Sequence, residues 1–299
     1  MNNIESELPF ISVIIPTYYD WERLQLCVNA LNKQTYSVKN FEIIVVNNAP
    51  DDKAPDSLVL PENCFLLDER KPGSYAARNK ALSIAKGDVY AFTDSDCQPK
   101  EDWLEVAIDY LKKNPQIDRI GGEISLFSEN EKMNWFEIYE VFFAFPQEEF
   151  VQSGMAATGN MISRKSVFDE LGVFNENLMS GGDGEWGRRV FKQGSQITYL
   201  RNCVVFHPTR SEFKDIHTKN KRLAGGHLSV ARSAGKKSVA ILLLKKILPP
   251  FTGIKRAFAN PNQPTKKKLI AILVCYYLKL KALSEMLSLL LGSGSEERV

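Results

Sequence analysis

The chain has little cysteine and little histidine. Its five cysteines, at 27, 64, 97, 203 and 275, are odd in number and widely spaced, with no CxxC pair and no Cys/His pairing. A disulfide framework and a zinc module are thereby disfavoured, and reduced thiols in a cytosolic setting are expected. No GxGxxG follows the first apolar run, which argues against a nicotinamide dehydrogenase, and no GxxxxGK[ST] occurs, which excludes a P-loop NTPase. The opening MNNIESELPF has acids and no apolar h-region, so it does not read as a signal peptide. Long hydrophobic runs are also missing. The longest charge-free apolar stretch toward the C-terminus, Leu269 to Leu278, falls short of the ~20 residues of an ordinary spanning helix.

What is present is an ordinary globular balance over 299 residues, 44% hydrophobic and 25% charged, enough for one large domain or two ordinary ones. The net charge of +2 conceals a strong polarity. Residues 1–200 carry 19 Lys and Arg against 31 Asp and Glu, whereas residues 201–299 carry 19 against 5. An acidic body and a basic tail region follow.

The first 210 residues alternate strand-like and helix-like segments. Phe10–Ile15, Phe41–Val46, Cys64–Leu67 and Val89–Thr93 read as strands. Helices are expected over Glu22–Asn32, over Ser74–Ala85 with Ser74 as N-cap, and over Glu101–Lys113. Continuous apolar strands separated by helices imply a mainly parallel sheet covered on both faces. Beyond residue 115 the pattern loosens. Strands are expected at Ile117–Leu126, Met155–Ser163, Ile197–Leu200 and Val204–Phe206, and helices at Met133–Phe145 and Asp183–Lys192. The composition shifts at His207–Ser211, so the division is drawn as a domain over 1–210, with halves of about 1–115 and 116–210, and a helical basic region over 211–299.

Ligands of open parallel sheets bind beyond the carboxyl ends of the strands. Thr17-Tyr18, Asn47-Asn48 and Asp94-Ser95-Asp96 fall at such ends. Extended geometry would point Asp94 and Asp96 to one side. Two carboxylates without a basic neighbour in sequence repel unless a cation joins them, and a hard ion such as Mg or Mn suits them. The plainer reading is a solvated turn leading into the next helix.

The segments ISVIIPTYYD, FEIIVVNNAPDD, GSYAARNKAL and GDVYAFTDSDCQPKEDWLE stand in the order and at the spacing of the family 2 glycosyltransferases, and the sequence resembles that family over residues 10–105. Two further segments, ATGNMISRKSVFDELGVFNE and GGDGEWGRRVFKQG, resemble its acceptor half and carry the likeness to about residue 207. The resemblance implies a GT-A fold, a mixed and mainly parallel Rossmann-like sheet flanked by helices. It implies inverting transfer of a hexose from a nucleoside diphosphate sugar, a UDP-sugar first, to an acceptor hydroxyl in polysaccharide or glycolipid assembly. A nucleotidyltransferase or a non-catalytic nucleotide- or sugar-binding module is the alternative.

On that resemblance, Tyr18 would stack on the nucleobase, with Pro16 and Thr17 shaping its loop. Asn47 and Asn48 would face the base edge where the family more usually has Asp-Asp or Asp-Asn. Gly73, Arg78, Asp94 and Ser95 would complete the nucleotide-sugar site. Asp96 of the DXD motif would ligate Mn or Mg, with the late His207 as a further ligand. Asp183 would be the general base, with Glu185 as runner-up and Gly182 in place of the family's preceding Glu. Gly159, Asn160 and Gly182 would line the acceptor side. Trp186 would stack on an acceptor sugar or belong to the core. The absence of QxxRW and of multiple spans argues against a processive synthase.

In the basic region, Val239–Leu248, Pro249-Pro250-Phe251 and Leu269–Leu278 interleave with lysine clusters at 245–246 and 266–268. Apolar interleaving favours an anionic membrane surface over nucleic acid. Packing of these helices on the body or on a second copy of the chain is the competing reading. The expectation is a cytoplasmic protein held peripherally on the inner membrane face, acting on a saccharide or lipid-linked saccharide. A chain ending near residues 207–211 is expected to stay folded and to leave the membrane.

Overall fold

In the computed structural model, residues 8–233, 235–259, 261 and 263–292 are described. Seven of the residues read against a signal peptide, 1–7, lie outside that range. In chain order the elements are β1 (Ile11–Thr17), α1 (Trp21–Leu31), β2 (Phe41–Asn47), β3 (Cys64–Asp68), α2 (Ser74–Leu82), β4 (Val89–Phe92), β5 (Gln98–Pro99), α3 (Trp103–Lys113) and β6 (Arg119–Phe127). There follow α4 (Trp135–Phe143), α5 (Gln147–Gln152), β7 (Met161–Arg164), α6 (Lys165–Leu171), α7 (Gly182–Lys192), β8 (Ile197–Pro208), α8 (Phe213–Ser233), α9 (Lys236–Ile247), α10 (Phe251–Ala259) and α11 (Thr265–Leu290).

β1, β2 and β4 are buried at every position, as unbroken apolar strands require when both faces of a sheet are covered. α1 buries Leu24, Cys27, Val28 and Leu31, and α3 buries Trp103, Leu104, Ala107, Ile108 and Leu111, each set at helical spacing. α3 ends in Lys112-Lys113, favourable against the helix dipole. The strand order is β3-β2-β1-β4-β7-β6-β8-β5. β1 runs parallel to β2 and β4, with Ile11 opposite both Phe41 and Val89. β7 runs antiparallel to β4 and to β6, and β5 antiparallel to β8. This mixed sheet, with its antiparallel strands drawn from residues after 117, is the GT-A arrangement.

Several local expectations change. Thr158-Gly159-Asn160 forms a single 3-10 turn, and only Met161–Arg164 is strand. The two late strands are one continuous β8. Ser74 is the first helical residue of α2, and the cap position is Gly73, at φ 112°. α5, α6 and the two-residue β5 carry no clear periodicity of their own; neighbouring packing makes them.

The chain divides into two compact units, one of residues 1–125, 147–177 and 182–207, the other of residues 126–146, 178–181 and 208–299. The first unit's core runs from Ile11, Val13 and Ile15 through Leu24, Ile43 and Val45 to Trp103, Ile162 and Val205.

The second unit is helical. Its apolar clusters join Ile138 and Phe142 to Ala257 and Ala271, Ile216 to Val274 and Leu278, and Ala224 and Leu228 to Ala282 and Met286. Two glutamates of α4 are fully buried there. Glu137 accepts from Ser128, Thr209 and the Asn134 backbone in a capping box. Glu140 meets Arg210 at 3.2 Å and Lys219 at 2.7 Å. Burial raises the Glu140 pKa, but the two cations and their hydrogen bonds together hold it below the ordinary value. Burial, with Arg210 beside it, lowers the Lys219 ammonium to about 8. A chain cut near 207–211 would therefore lose both Lys219 and the helices that pack on α4.

Candidate functional site

β1, β2 and β4 end side by side, which brings three loops to one edge of the sheet in the first unit. At the end of β1, Pro16 and Thr17 are buried, and the Thr17 hydroxyl is buried without a partner. Tyr18 is exposed and meets Tyr19 edge-on, with centroids 4.6 Å apart. Tyr19 holds a left-handed φ of 51°, a strained backbone for a bulky residue.

Asn47 and Asn48 are buried with both amide N–H groups engaged. Asn47 Nδ2 donates to the Asp52 carbonyl at 3.0 Å and to Asp68 at 3.2 Å, while its oxygen accepts from Ala49 N–H. Asn48 Nδ2 donates to the carbonyls of Glu69 and Lys71, at 2.9 and 2.7 Å, and its oxygen accepts from Gly73 N–H. Both side chains hold neighbouring loops together in the structure. An aspartate could accept from Gly73 or Ala49 but could not donate to the carbonyls, which accounts for asparagine at both positions.

Asp94-Ser95-Asp96 follows β4 but is not extended. Cys97 N–H donates to the Asp94 carbonyl at 3.1 Å and closes a turn. The two carboxylates consequently have different partners. Asp94 pairs with Arg78, whose side chain on α2 is buried rather than at the helix surface. Asp96 Oδ2 lies 3.5 Å from His207 Nε2 at the end of β8. Gly159 passes close to Asp94: a Cβ there would stand 3.3 Å from Asp94 Oδ2. The Gly159 carbonyl accepts from the Thr93 hydroxyl.

Asp96, Cys97 and His207 offer ligand atoms that all lie within 4.8 Å of one another. Carboxylate and imidazole fit a divalent cation such as Mn. Nothing in the local pattern marks Cys97, because His207 is 110 positions away in sequence; adjacency to the DXD acid is the available signal. Burial, then Asp96 and Asp94, push its thiol well above the ordinary value.

Asp183 stands in the first turn of α7, where a carboxylate favours the helix dipole. Its Oδ1 accepts from Tyr75 Oη at 3.1 Å and from Gly184 N–H at 2.8 Å. Glu185, by contrast, pairs with Arg189 at 2.9 Å, and Arg189 is itself tied to the Leu171 and Val173 carbonyls. Tyr75, 108 positions from Asp183, likewise carries no local sequence signal.

Two acceptor-side assignments are corrected. Trp186 is fully buried, stacks on Phe168 at 4.4 Å and donates to the Gly172 carbonyl, so it belongs to the core and cannot meet a sugar. Asn160 is fully buried and ties three elements together. It accepts from Trp103 Nε1 and donates to the Glu123 and Cys203 carbonyls. A cavity of about 330 Å³ lined by Pro9, Asp88, Val89 and Arg164 opens at the amino end of β4 and contains none of these groups.

A GT-A sheet with Asp94-Ser95-Asp96 in a turn after β4 and a carboxylate at the start of α7 is the arrangement the family resemblance implies. The comparisons place it further. The chain matches the glycosyl transferase family 2 profile over residues 12–172. It is 32% identical over 231 residues to glycosyltransferase AglE of Haloferax volcanii, covering 75% of each chain. It is 25% identical over 223 residues, 69% of this chain and 68% of the relative, to a dolichyl N-acetyl-alpha-D-glucosaminyl phosphate 3-beta-D-2,3-diacetamido-2,3-dideoxy-beta-D-glucuronosyltransferase of Methanococcus voltae. Among solved structures, a mannosyltransferase of Pyrobaculum calidifontis in complex with GDP-Man and Mn2+ superposes with a TM-score of 0.55 at 16% identity, covering 97% of this chain and 77% of that one. S. aureus TarS 1-349 in complex with UDP superposes with a TM-score of 0.53 at 17% identity, covering 95% and 92%. The chain belongs to glycosyl transferase family 2.

Proposed function

We propose that the chain transfers a hexose, with inversion and in a metal-dependent manner, from a nucleoside diphosphate sugar to a hydroxyl of a lipid-linked saccharide. The observation carrying this reading is Asp183, a carboxylate held through one oxygen by Tyr75 and Gly184 at the acceptor-side motif. Asp183 accepts the acceptor's hydroxyl proton as that oxygen bonds to the anomeric carbon. The bond from the anomeric carbon to the diphosphate breaks, and its electron pair leaves with the diphosphate. Asp96 and His207 would hold the divalent cation, with Cys97 beside them. Bound there, the cation supplies positive charge toward the leaving diphosphate. Arg78 fixes Asp94 toward the donor sugar. Pro16, Thr17, Tyr18, Gly73 and Ser95 shape the nucleotide pocket, Gly159 lets the backbone pass close to Asp94, and Gly182 gives its space to the Tyr75 ring beside Asp183. Glu185 is disfavoured as base by its ion pair with Arg189.

A UDP-sugar is the first choice of donor, supported by the UDP complex of one structural neighbour, whereas the other carries GDP-Man. A lipid-phosphate-linked acceptor is supported by the name of the Methanococcus relative. In the second unit, α9 has no buried residue, and α11 exposes Leu269, Leu273, Tyr277, Leu280 and Leu287 on the side opposite Ala271, Val274, Leu278, Ala282 and Met286. Among the described residues no helix is long and apolar enough to cross a membrane. With the lysine clusters, these faces support peripheral attachment to an anionic leaflet from the cytoplasmic side. Association of two copies through the same faces is the competing use. Calorimetry with UDP, GDP, CDP and dTDP, each with and without Mn, tests metal dependence and base together. Binding of one nucleotide only with Mn is expected, and no binding to any of them would favour a non-catalytic module.

A further inference from the structure

Gly182 departs from the family pattern resembled by GGDGEW, and its neighbours show why a side chain is not accommodated. A Cβ on Gly182 would stand 2.6 Å from Tyr75 Cε2 and 2.7 Å from Cδ2, closer than real Cβ contacts allow. The Tyr75 ring is buried, lies against Phe174 with centroids 5.8 Å apart, and has the Arg78 guanidinium 5.8 Å from its centroid. With the ring gripped in this way, its one polar atom meets Asp183 Oδ1. Burial, then the Asp183 charge, push the Tyr75 phenol upward, so it remains a donor at neutral pH.

Both hydrogen bonds to Asp183 converge on Oδ1, and no hydrogen bond to Oδ2 occurs among the described residues. Tyr75 and Arg78 are three residues apart on α2, on one face of the helix. One reaches Asp183 and the other Asp94. A single helix face thus holds both the carboxylate read as the base and the carboxylate read as touching the donor.

We infer that Tyr75 is a positioning residue for transfer: matched to the bare backbone of Gly182, it holds Asp183 by Oδ1 and leaves Oδ2 to take the acceptor proton. The inference rests on the reading of Asp183 as base and adds a residue to it. A misdirected base loses rate without losing ground-state donor affinity, because donor contacts do not include the base.

The test uses the full chain with UDP-N-acetylglucosamine, UDP-glucose, UDP-glucuronate and GDP-mannose as donors and polyprenyl-phosphate-linked N-acetylglucosamine as acceptor. Release of nucleoside diphosphate by water provides an acceptor-independent readout. Tyr75→Phe keeps the ring and removes only the hydroxyl. It is expected to lower kcat on the order of tenfold, the scale of one hydrogen bond to a charged group, with the donor Kd and the thermal midpoint nearly unchanged. Gly182→Ala should lower kcat in the wild-type background and have little further effect in Tyr75→Ala, where the ring is gone; that non-additivity reports the matched pair. Unchanged kcat in Tyr75→Phe, or full additivity of Gly182→Ala with Tyr75→Ala, overturns the inference. So does a lost donor Kd in Tyr75→Phe, which would put the hydroxyl on the donor side. Asp183→Asn separates the two claims. If it is inactive while Tyr75→Phe is normal, the base reading stands and this inference fails; if it transfers normally, the base reading itself fails.

Discussion

The first unit buries hydrogen-bonded polar side chains in its interior; the second leaves a row of leucines on one helix face uncovered. In the first, Asn47, Asn48, Asn160 and Arg119 are buried and all hydrogen-bonded, and the large side chains of β1, β2 and α3 are sealed in the core. In the second, leucines of α11 stand in water, Leu273 at 64% exposure, beside a basic surface. Among the described residues, the acids buried in that interior are the α4 pair Glu137 and Glu140, compensated by Arg210, Lys219 and hydroxyls. The contrast teaches that precise chemistry needs fixed polar groups, whereas attachment to a surface needs exposed area and charge.

The sharpest way to break the second unit is through Glu140. Glu140→Ala leaves Arg210 and Lys219 without their counter-charge and is expected to destabilise by about 3–5 kcal/mol, the cost of an orphaned buried charge. The pH dependence has a defined sign. Glu140 titrates below its unfolded value, so its contribution is present above about pH 4.5 and is lost as pH falls through the folded pKa. The gap in thermal midpoint between wild type and Glu140→Gln should therefore narrow on acidification; a gap that widens contradicts the assignment.

In the first unit, Asp183→Asn should reduce transfer on the order of 10² or more, about 2.7 kcal/mol, with nucleotide binding retained. Asp96→Ala should instead abolish the Mn-dependent part of nucleotide binding in calorimetry. Loss of binding in the first variant, or its retention in the second, would exchange the two roles.

Attachment is the next smaller effect. Leu273→Glu with Leu244→Glu should lower flotation with anionic liposomes, and raising salt should lower it for the wild type, at about 1 kcal/mol for each lysine near the surface. Unchanged flotation combined with a change in oligomeric mass would assign these faces to a second copy of the chain.

The smallest effect is expected from Glu185→Gln, which disturbs a half-exposed pair at i and i+4 worth about 0.3–0.5 kcal/mol and should leave kcat within about twofold. A large loss of kcat there would make Glu185 the base.

By itself the sequence determined the strands β1, β2, β3 and β4, the helices α1 and α3, and the order of the loops at the strand ends. Those are local matters: apolar runs, periodic stripes, and glycines or acids at element ends. Through resemblance it also named Asp96 and His207 as candidate ligands, and the two stand 3.5 Å apart in the structure. Only the tertiary structure decided that Arg78 meets Asp94 across 16 positions, that Cys97 joins Asp96 and His207, that Trp186 and Asn160 are core, and that Tyr75 holds Asp183 across 108. Spacing along the chain carries no signal for such contacts, because they depend on which side of a helix or turn faces another element after packing. A buried tryptophan and a sugar platform are the same letter in sequence; burial separates them, and burial exists only once the chain has folded.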